Sequence, residues 1–368
     1  MYMALNKDFL KSKYGFDVYG RHKITADIIS LYKKLKNIDK LKILDIGGQY
    51  SILHDFLPDE EITVIDPNVE PNEEKGIFRA KAQDLSSLFP NENFDVVTIH
   101  DVLEHIPESM REIVLHNALL MSKDLLIVAG PFNSPAVVNA EIEVSDFFTK
   151  VYGFENPWLV EHEDCGLPSL SDLEHFIKKQ DLYNFQFSNN KLKYWSKSYF
   201  LDFLIDSNKN IISQELMERF RHYYNEEIFP YDFGQDSYRK TILISKTDFS
   251  VKEGSNIQKI IYKANPDINE EKILDKKYYE FISQLIVDIK RYMEVENSQK
   301  YRNHEKLLAR LVFLKKVIKG KNEIIKYQNQ ILDRKSVRLV LRIADSKIIH
   351  NGVMKNIIQF VYKIFHIK

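Results

Sequence analysis

Apolar residues recur along the first 250 positions in two alternating rhythms, strand-like runs and helical spacings. That alternation predicts a parallel, doubly wound α/β sheet. Leu41-Lys-Ile-Leu-Asp-Ile46 is a short apolar run suited to a buried parallel strand, with Asp45 near its end and Gly47-Gly48 directly after. Apolar residues at 52, 53, 56 and 57 follow at helical spacing, so the stretch reads strand, tight turn, helix. Such a unit brings bare main-chain N–H groups and the positive end of a helix to the carboxyl edge of a sheet, where open α/β folds bind ligands. Taken alone, the glycine pair reads equally well as an ordinary turn.

The remaining elements follow in order. Residues 1–20, with Tyr14-Gly15-Phe16 and Val18-Tyr19-Gly20, read as an ordered arm or lid, and 21–35 as a helix lying on the sheet. Glu61 to Asp66 is a second strand ending in an acid. Asp66 falls about 20 residues after the glycine turn, the spacing at which nucleotide-binding α/β folds set a carboxylate on ribose hydroxyls. A turn made with Pro67-Asn68 is the plainer role. Residues 76–80 form a short third strand, followed by Gln83-Asp84-Leu85. Asp84 there either accepts a hydrogen bond from an adenine amino group or caps a short helix at 85–89. Phe94 to Ile99 is a fourth strand ending in His100-Asp101, 108–121 a helix, and Lys123 to Gly130 a fifth strand broken by Pro131.

Farther on, Ser171 and Glu174 form a capping box that opens a helix. Tyr183 to Phe187 and Tyr238 to Ile244 read as two last strands. Between them, 190–237 is a long helical insertion rich in Tyr, Phe and Trp. An insertion at the ligand edge of such a fold either selects substrate or simply extends the packing.

Asp45-Ile-Gly-Gly48, the acid in Val64-Ile-Asp66, Gln83-Asp84-Leu85 and Phe94-Asp-Val-Val-Thr-Ile-His-Asp-Val-Leu-Glu-His-Ile-Pro107 stand in one order and spacing. Together they resemble the class I S-adenosylmethionine-dependent methyltransferases, over roughly residues 20–250. The resemblance implies a Rossmann-like sheet of seven strands with an antiparallel end and S-adenosyl-L-methionine as cofactor. Asp45, Gly47, Gly48, Gln49 and Ser51 would hold the methionine end. Asp66, with Pro67 beside it, would bind the ribose, and Gln83, Asp84 and Leu85 would receive the adenine. His100 and Asp101 would flank the sulfonium. The family's glycine turn has glycines at alternate positions, which are Gly47, Gln49 and Ser51 here. Gln49 has a more restricted backbone than glycine and fills space.

The 368 residues correspond to about two domains, and 44% apolar content is enough for a sizeable core. The polar stretch 251–270 marks a boundary between a domain over 1–250 and a helical extension over 251–368. Sixteen Lys/Arg against four Asp/Glu give residues 301–368 a net charge of +12, and the overall −1 leaves −13 on residues 1–300. An acidic body argues against nucleic-acid methylation. In the extension, leucines and isoleucines at 307, 311, 314, 318, 325 and 332 follow a heptad broken by Lys321 and Gln328. A short coiled coil and a helix pair packed on the body both remain open. Ile348 to Lys368 is an amphipathic basic helix that suits an anionic membrane surface or a partner helix, self-association included. Ser336-Val-Arg-Leu-Val-Leu-Arg342 resembles a short basic segment in the tails of bacterial cell-surface glycan biosynthesis proteins.

The single Cys165 excludes an internal disulfide framework. With no apolar N-terminal core and no apolar run near 20 residues, the expected place is the cytoplasm, with the inner face of the membrane as a peripheral option.

Methyl transfer to a hydroxyl needs a base, and histidine titrates in the right range. His105, just past the fourth strand, and His162, within Glu161-His-Glu-Asp164, are the catalytic candidates. Glu104-His105 also reads as a plain helix-opening turn, and the residues around His162 as a solvated acidic loop. Their spacing predicts no metal site. Two functional classes follow. One is an O-methyltransferase acting on a sugar or related small polar acceptor in surface-glycan assembly. The other is a methyltransferase-like scaffold that recruits partners through its tail.

Overall fold

The computed structural model describes residues 7–49, 52–90, 93–206, 214–261 and 268–295. The chain divides into two compact units, Met1–Glu296 and Asn297–Lys368, and the second lies outside the described residues. So do Ser51, the heptad stretch and the basic end helix.

The first unit opens with helices α1 (Lys7–Lys13) and α2 (Phe16–Lys36). Strand β1 (Lys42–Ile46), α3 (Ile52–Phe56), β2 (Glu61–Ile65), β3 (Ile77–Phe78), α4 (Leu85–Leu88), β4 (Phe94–His100), α5 (Glu108–Met121) and β5 (Ser122–Pro131) follow. Then come α6 (Pro135–Tyr152), α7 (Pro157–Cys165), α8 (Leu170–Lys179), β6 (Tyr183–Lys191), α9 (Leu192–Asp206), α10 (Gln214–Tyr223), β7 (Ser237–Ser245), α11 (Phe249–Ile261) and α12 (Ile268–Val295). The seven strands form one sheet in the order β3-β2-β1-β4-β5-β7-β6. Strand β7 alone runs antiparallel, between β5 and β6. This is the expected Rossmann-like, doubly wound sheet.

Burial explains the strand runs. Leu44, Ile46, Val97, Ile99, Leu126 and Val128 are fully enclosed and pack with Val114, Leu115 and Ala118 of α5 and Leu173, Phe176 and Ile177 of α8. Each such Leu, Ile, Val or Phe side chain contributes roughly 1.5–3 kcal/mol on leaving water. Strand β1 lies between β2 and β4 with Asp45 opposite Val64 and Thr98, so its acid is held inside the sheet.

Three expectations are corrected. The aromatic arm is helix from Phe16 onward, after a break at Tyr14-Gly15, because Phe16 and Tyr19 are buried, Phe16 against Tyr224 and Tyr19 edge-on to Phe229. The cap of α8 is Ser169, whose Oγ accepts from the Asp172 N–H at 3.2 Å, while Ser171 lies within the helix. The compact body also runs past residue 250. Tyr278, Ile282 and Leu285 of α12 are buried, and Tyr278 packs on Tyr194 of α9 with ring centroids 4.7 Å apart.

Candidate active site

The carboxyl ends of β1 and β2 form a tight rim. The Gly47 N–H donates to Ile65 O at 2.8 Å, with Gly47 in the left-handed region at φ +76°. A Cβ on Gly47 would lie 2.3 Å from Val102 Cγ2, and one on Gly48 2.4 Å from Asp45 Oδ2. Neither position admits a side chain without displacing its neighbour. Gln49 keeps the left-handed conformation at φ +48°, and its N–H donates to Asp66 Oδ2 at 3.3 Å. Asp66 Oδ1 accepts from the Asn68 N–H at 2.7 Å. Asp45, Gly47, Gly48, Gln49 and Asp66 are therefore brought together, with Pro67 exposed at their margin.

Asp45 is enclosed. Its Oδ1 accepts from Thr98 Oγ1 at 2.6 Å, whereas Oδ2 has no hydrogen-bond partner. Burial pushes its carboxyl up to about 6 against the opposing Thr98 bond. An orphaned buried carboxylate oxygen beside a turn with no room for a side chain fits the ammonium end of an amino-acid-bearing ligand. Asp84 is exposed and makes no capping bond with its side chain, which leaves it open to a ligand. Leu85 packs wholly in the core, so only its main chain is on offer, and the Gln83 carbonyl is already taken by Asn117 Nδ2 at 2.9 Å.

At the end of β4 the side chains are committed elsewhere. His100 is buried with Nε2 2.7 Å from Thr25 Oγ1 of α2, and burial lowers it to about 3, so the ring is neutral at physiological pH. Asp101, at φ +50°, pairs with Arg21 and with the fully buried Arg239 of β7. Arg239 also donates to Asp17 Oδ1 at 2.8 Å. Burial alone would raise Asp101, but the two guanidinium charges outweigh it and hold the carboxyl well below its usual range. Neither residue is free to flank a ligand in this arrangement.

The two histidines meet. His105, in the turn Leu103–His105, and His162 of α7 face each other with ring centroids 4.8 Å apart. Buried Glu104 completes the group, and one ligand atom from each of the three lies within 4.8 Å of the others. His162 Nδ1 is 2.8 Å from Glu141 Oε1, which also accepts from Tyr238 Oη at 2.7 Å. His105 Nδ1 lies 2.7 Å from Glu161 Oε2. Burial and then the neighbouring His162 lower His105, with Glu161 opposing, so a neutral ring able to accept a proton is favoured. Sequence spacing grouped His162 with Glu161, Glu163 and Asp164. The fold groups it with Glu104 and His105 instead, and supplies Glu141 and Tyr238, which no local pattern marked. Two cavities lie away from the β1–β2 rim. One of about 380 Å³ is lined by Lys191, Lys193, Gly234 and Glu271, the other of about 350 Å³ by Leu103, Arg111, Phe132 and Phe176.

The sequence matches no protein-family model and no curated protein. Among solved structures it is similar to a magnesium protoporphyrin IX methyltransferase from Synechocystis with bound SAH. The identity is 10%, coverage 63% of this chain and 86% of that one, and the TM-score 0.37. A possible histamine N-methyltransferase from Thermotoga maritima matches at 14% identity, covering 65% and 93%, with a TM-score of 0.37. A cyclopropane-fatty-acyl-phospholipid synthase-like protein from Lactobacillus casei matches at 13%, covering 61% and 91%, with a TM-score of 0.34. At such identities residue roles do not transfer from those proteins to this chain.

Proposed function

We propose that this chain is an S-adenosyl-L-methionine-dependent methyltransferase. The observation that carries the reading is the convergence of Asp45, Gly47, Gly48 and Asp66 at the carboxyl edge of a sheet ordered β3-β2-β1-β4-β5-β7-β6. In this reading the orphaned Asp45 Oδ2 receives the ammonium of the methionine end, the Gly47–Gln49 main chain lines it, and Asp66 and Asp84 serve the ribose and adenine. The bound cofactor supplies an electrophilic methyl on sulfur. The chain's own residues orient the acceptor, exclude water and take up its proton. His105 is the favoured base because its ring is held neutral and lies 2.7 Å from Glu161, which can stabilise the imidazolium.

The finer reading is O-methylation of a sugar or related small polar acceptor in cell-surface glycan assembly, on the cytoplasmic side. It draws on His105 and His162 as hydroxyl-directed groups and on the likeness of Ser336–Arg342 to glycan-pathway tails. The exposed Asp84 and the acidic body favour a small acceptor over nucleic acid. No helix among the described residues is long and apolar enough to cross a membrane. The basic extension, with its amphipathic end, is assigned to a partner helix, a second copy or a membrane surface.

Two observations favour the scaffold alternative. Gln49 stands in the left-handed position of the turn, and Asp101 is spent on two arginines. Incubation with methyl-labelled S-adenosylmethionine and a cell-envelope extract separates the readings. Label in a small glycan precursor supports the enzyme, and absence of any labelled product with intact cofactor supports the scaffold.

A further inference from the structure

We infer that Glu104, His105 and His162 form a binding site for one divalent transition-metal ion. Two imidazoles and a carboxylate are the donor set of open three-ligand sites for zinc and its first-row neighbours. Their ligand atoms already lie within 4.8 Å of one another. Tetrahedral bonding to an ion at about 2.0–2.2 Å would draw these atoms to roughly 3.4 Å from one another, a closure of about 1 Å.

The independent observation is Glu104 itself. It is 1% exposed, and its Oε2 has no hydrogen-bond partner. An unpartnered buried carboxylate oxygen is costly, and a cation is the chemistry that removes that cost. Gly130, at the end of β5, makes room for this carboxylate, since a Cβ there would lie 3.2 Å from Oε2.

The outer contacts have the form that a metal site needs. A carboxylate can only accept, so the His162 Nδ1–Glu141 Oε1 contact of 2.8 Å places the proton on Nδ1 and leaves the Nε2 lone pair for an ion. Tyr238 Oη steadies the same Glu141 oxygen at 2.7 Å. Arg111 ties the two ligand-bearing segments together. Its Nε donates to Leu103 O and Ile106 O at 2.9 Å, and its Nη2 to Cys165 O at 2.9 Å. Three protein ligands leave a coordination position open to water or to an acceptor oxygen. Imidazole donors suit zinc, copper, iron and nickel, whereas magnesium and manganese prefer oxygen donors. The site stands on its own residues and not on the cofactor reading; with an ion in place the free lone pair of His105 is spent on it, so the metal and general-base roles of His105 exclude each other.

The test is metal retention by the full chain, purified without a histidine tag, stripped with chelator and exchanged into Zn²⁺, Mn²⁺ or Mg²⁺. Elemental analysis after desalting reads stoichiometry, and competition with a chromogenic chelator reads affinity. The expected result is one Zn²⁺ per chain, weaker Mn²⁺ and no retained Mg²⁺. Glu104→Gln and His162→Gln should each weaken Zn²⁺ at least about tenfold, and Glu141→Gln about 10–100-fold by loosening His162. His175→Gln, outside the group, should leave binding unchanged. Circular dichroism checks that each variant is folded, and the less deeply buried Glu141→Gln serves if Glu104→Gln does not fold. No retained transition metal in the parent chain, or retention unchanged in folded Glu104→Gln and His162→Gln, overturns the site.

Discussion

Arg239 clamps Asp101 with two parallel bonds, Nε to Oδ1 at 3.0 Å and Nη2 to Oδ2 at 2.6 Å. This joins β7 to the tip of β4 across the intervening β5. The same guanidinium reaches Asp17 on α2, so one buried cation fixes three elements around the candidate site. Fork-shaped donors suit this task, which lysine could not perform.

Arg239→Met should therefore be strongly destabilising. It leaves Asp101 with Arg21 alone and Asp17 without its partner on β7. Breaking a buried pair by removing one member costs about 3–5 kcal/mol. Urea unfolding should show a loss of unfolding free energy of that size, with Arg239→Met/Asp101→Asn less destabilised than the two single losses combined. A midpoint equal to that of the parent would remove the clamp from the account.

Asp45 makes stability depend on pH. Its carboxyl sits at about 6 in the folded chain, against about 3.9 when unfolded. The folded state thus holds the proton longer. This group's stabilising contribution is fully present below about pH 4 and is lost as pH rises through about 6, by on the order of 2–3 kcal/mol. Asp45→Asn keeps the oxygen that accepts from Thr98 and has no proton to lose. The stability of Asp45→Asn relative to the parent should rise between pH 4 and 7 and then level off. Parallel pH curves for the two proteins would show that Asp45 is not enclosed as described.

Gln49→Gly should stabilise the turn. A residue with a Cβ at φ +48° carries about 1–2 kcal/mol of left-handed strain, partly offset by the greater freedom of glycine in the unfolded chain. Thermal unfolding should show a gain of up to about 1 kcal/mol. Loss of stability on this substitution would mean that the Gln49 side chain makes a compensating contact.

Much of the sheet was legible because its strands are apolar runs closed by acids or glycines. Strands β1, β2 and β4 and helix α5 all fall where local pattern put them. The stretch Phe16–Gly20 was not, since glycines and aromatics read locally as loop while tertiary burial against Tyr224 and Phe229 decides for helix. The end of the body was missed for a similar reason. The polar stretch 251–270 looks like a linker, but the apolar face of α12 beyond it returns to α9. At the site, Asp45, Gly47 and Asp66 announce themselves by spacing. The meeting of Glu104, His105 and His162 does not, because it depends on how α7 packs on the turn after β4, and Arg111 sets that packing through carbonyls that have no sequence signature.

Asp66 is the residue on which the cofactor reading turns most directly, and titration calorimetry with S-adenosylmethionine measures it. The parent chain should bind one equivalent, and Asp66→Ala should bind about 10–100-fold more weakly, the loss expected for hydrogen bonds to a charged acceptor. No heat of binding at millimolar cofactor in the parent, or equal affinity in the folded Asp66→Ala variant, would contradict the placement of a nucleoside on this rim.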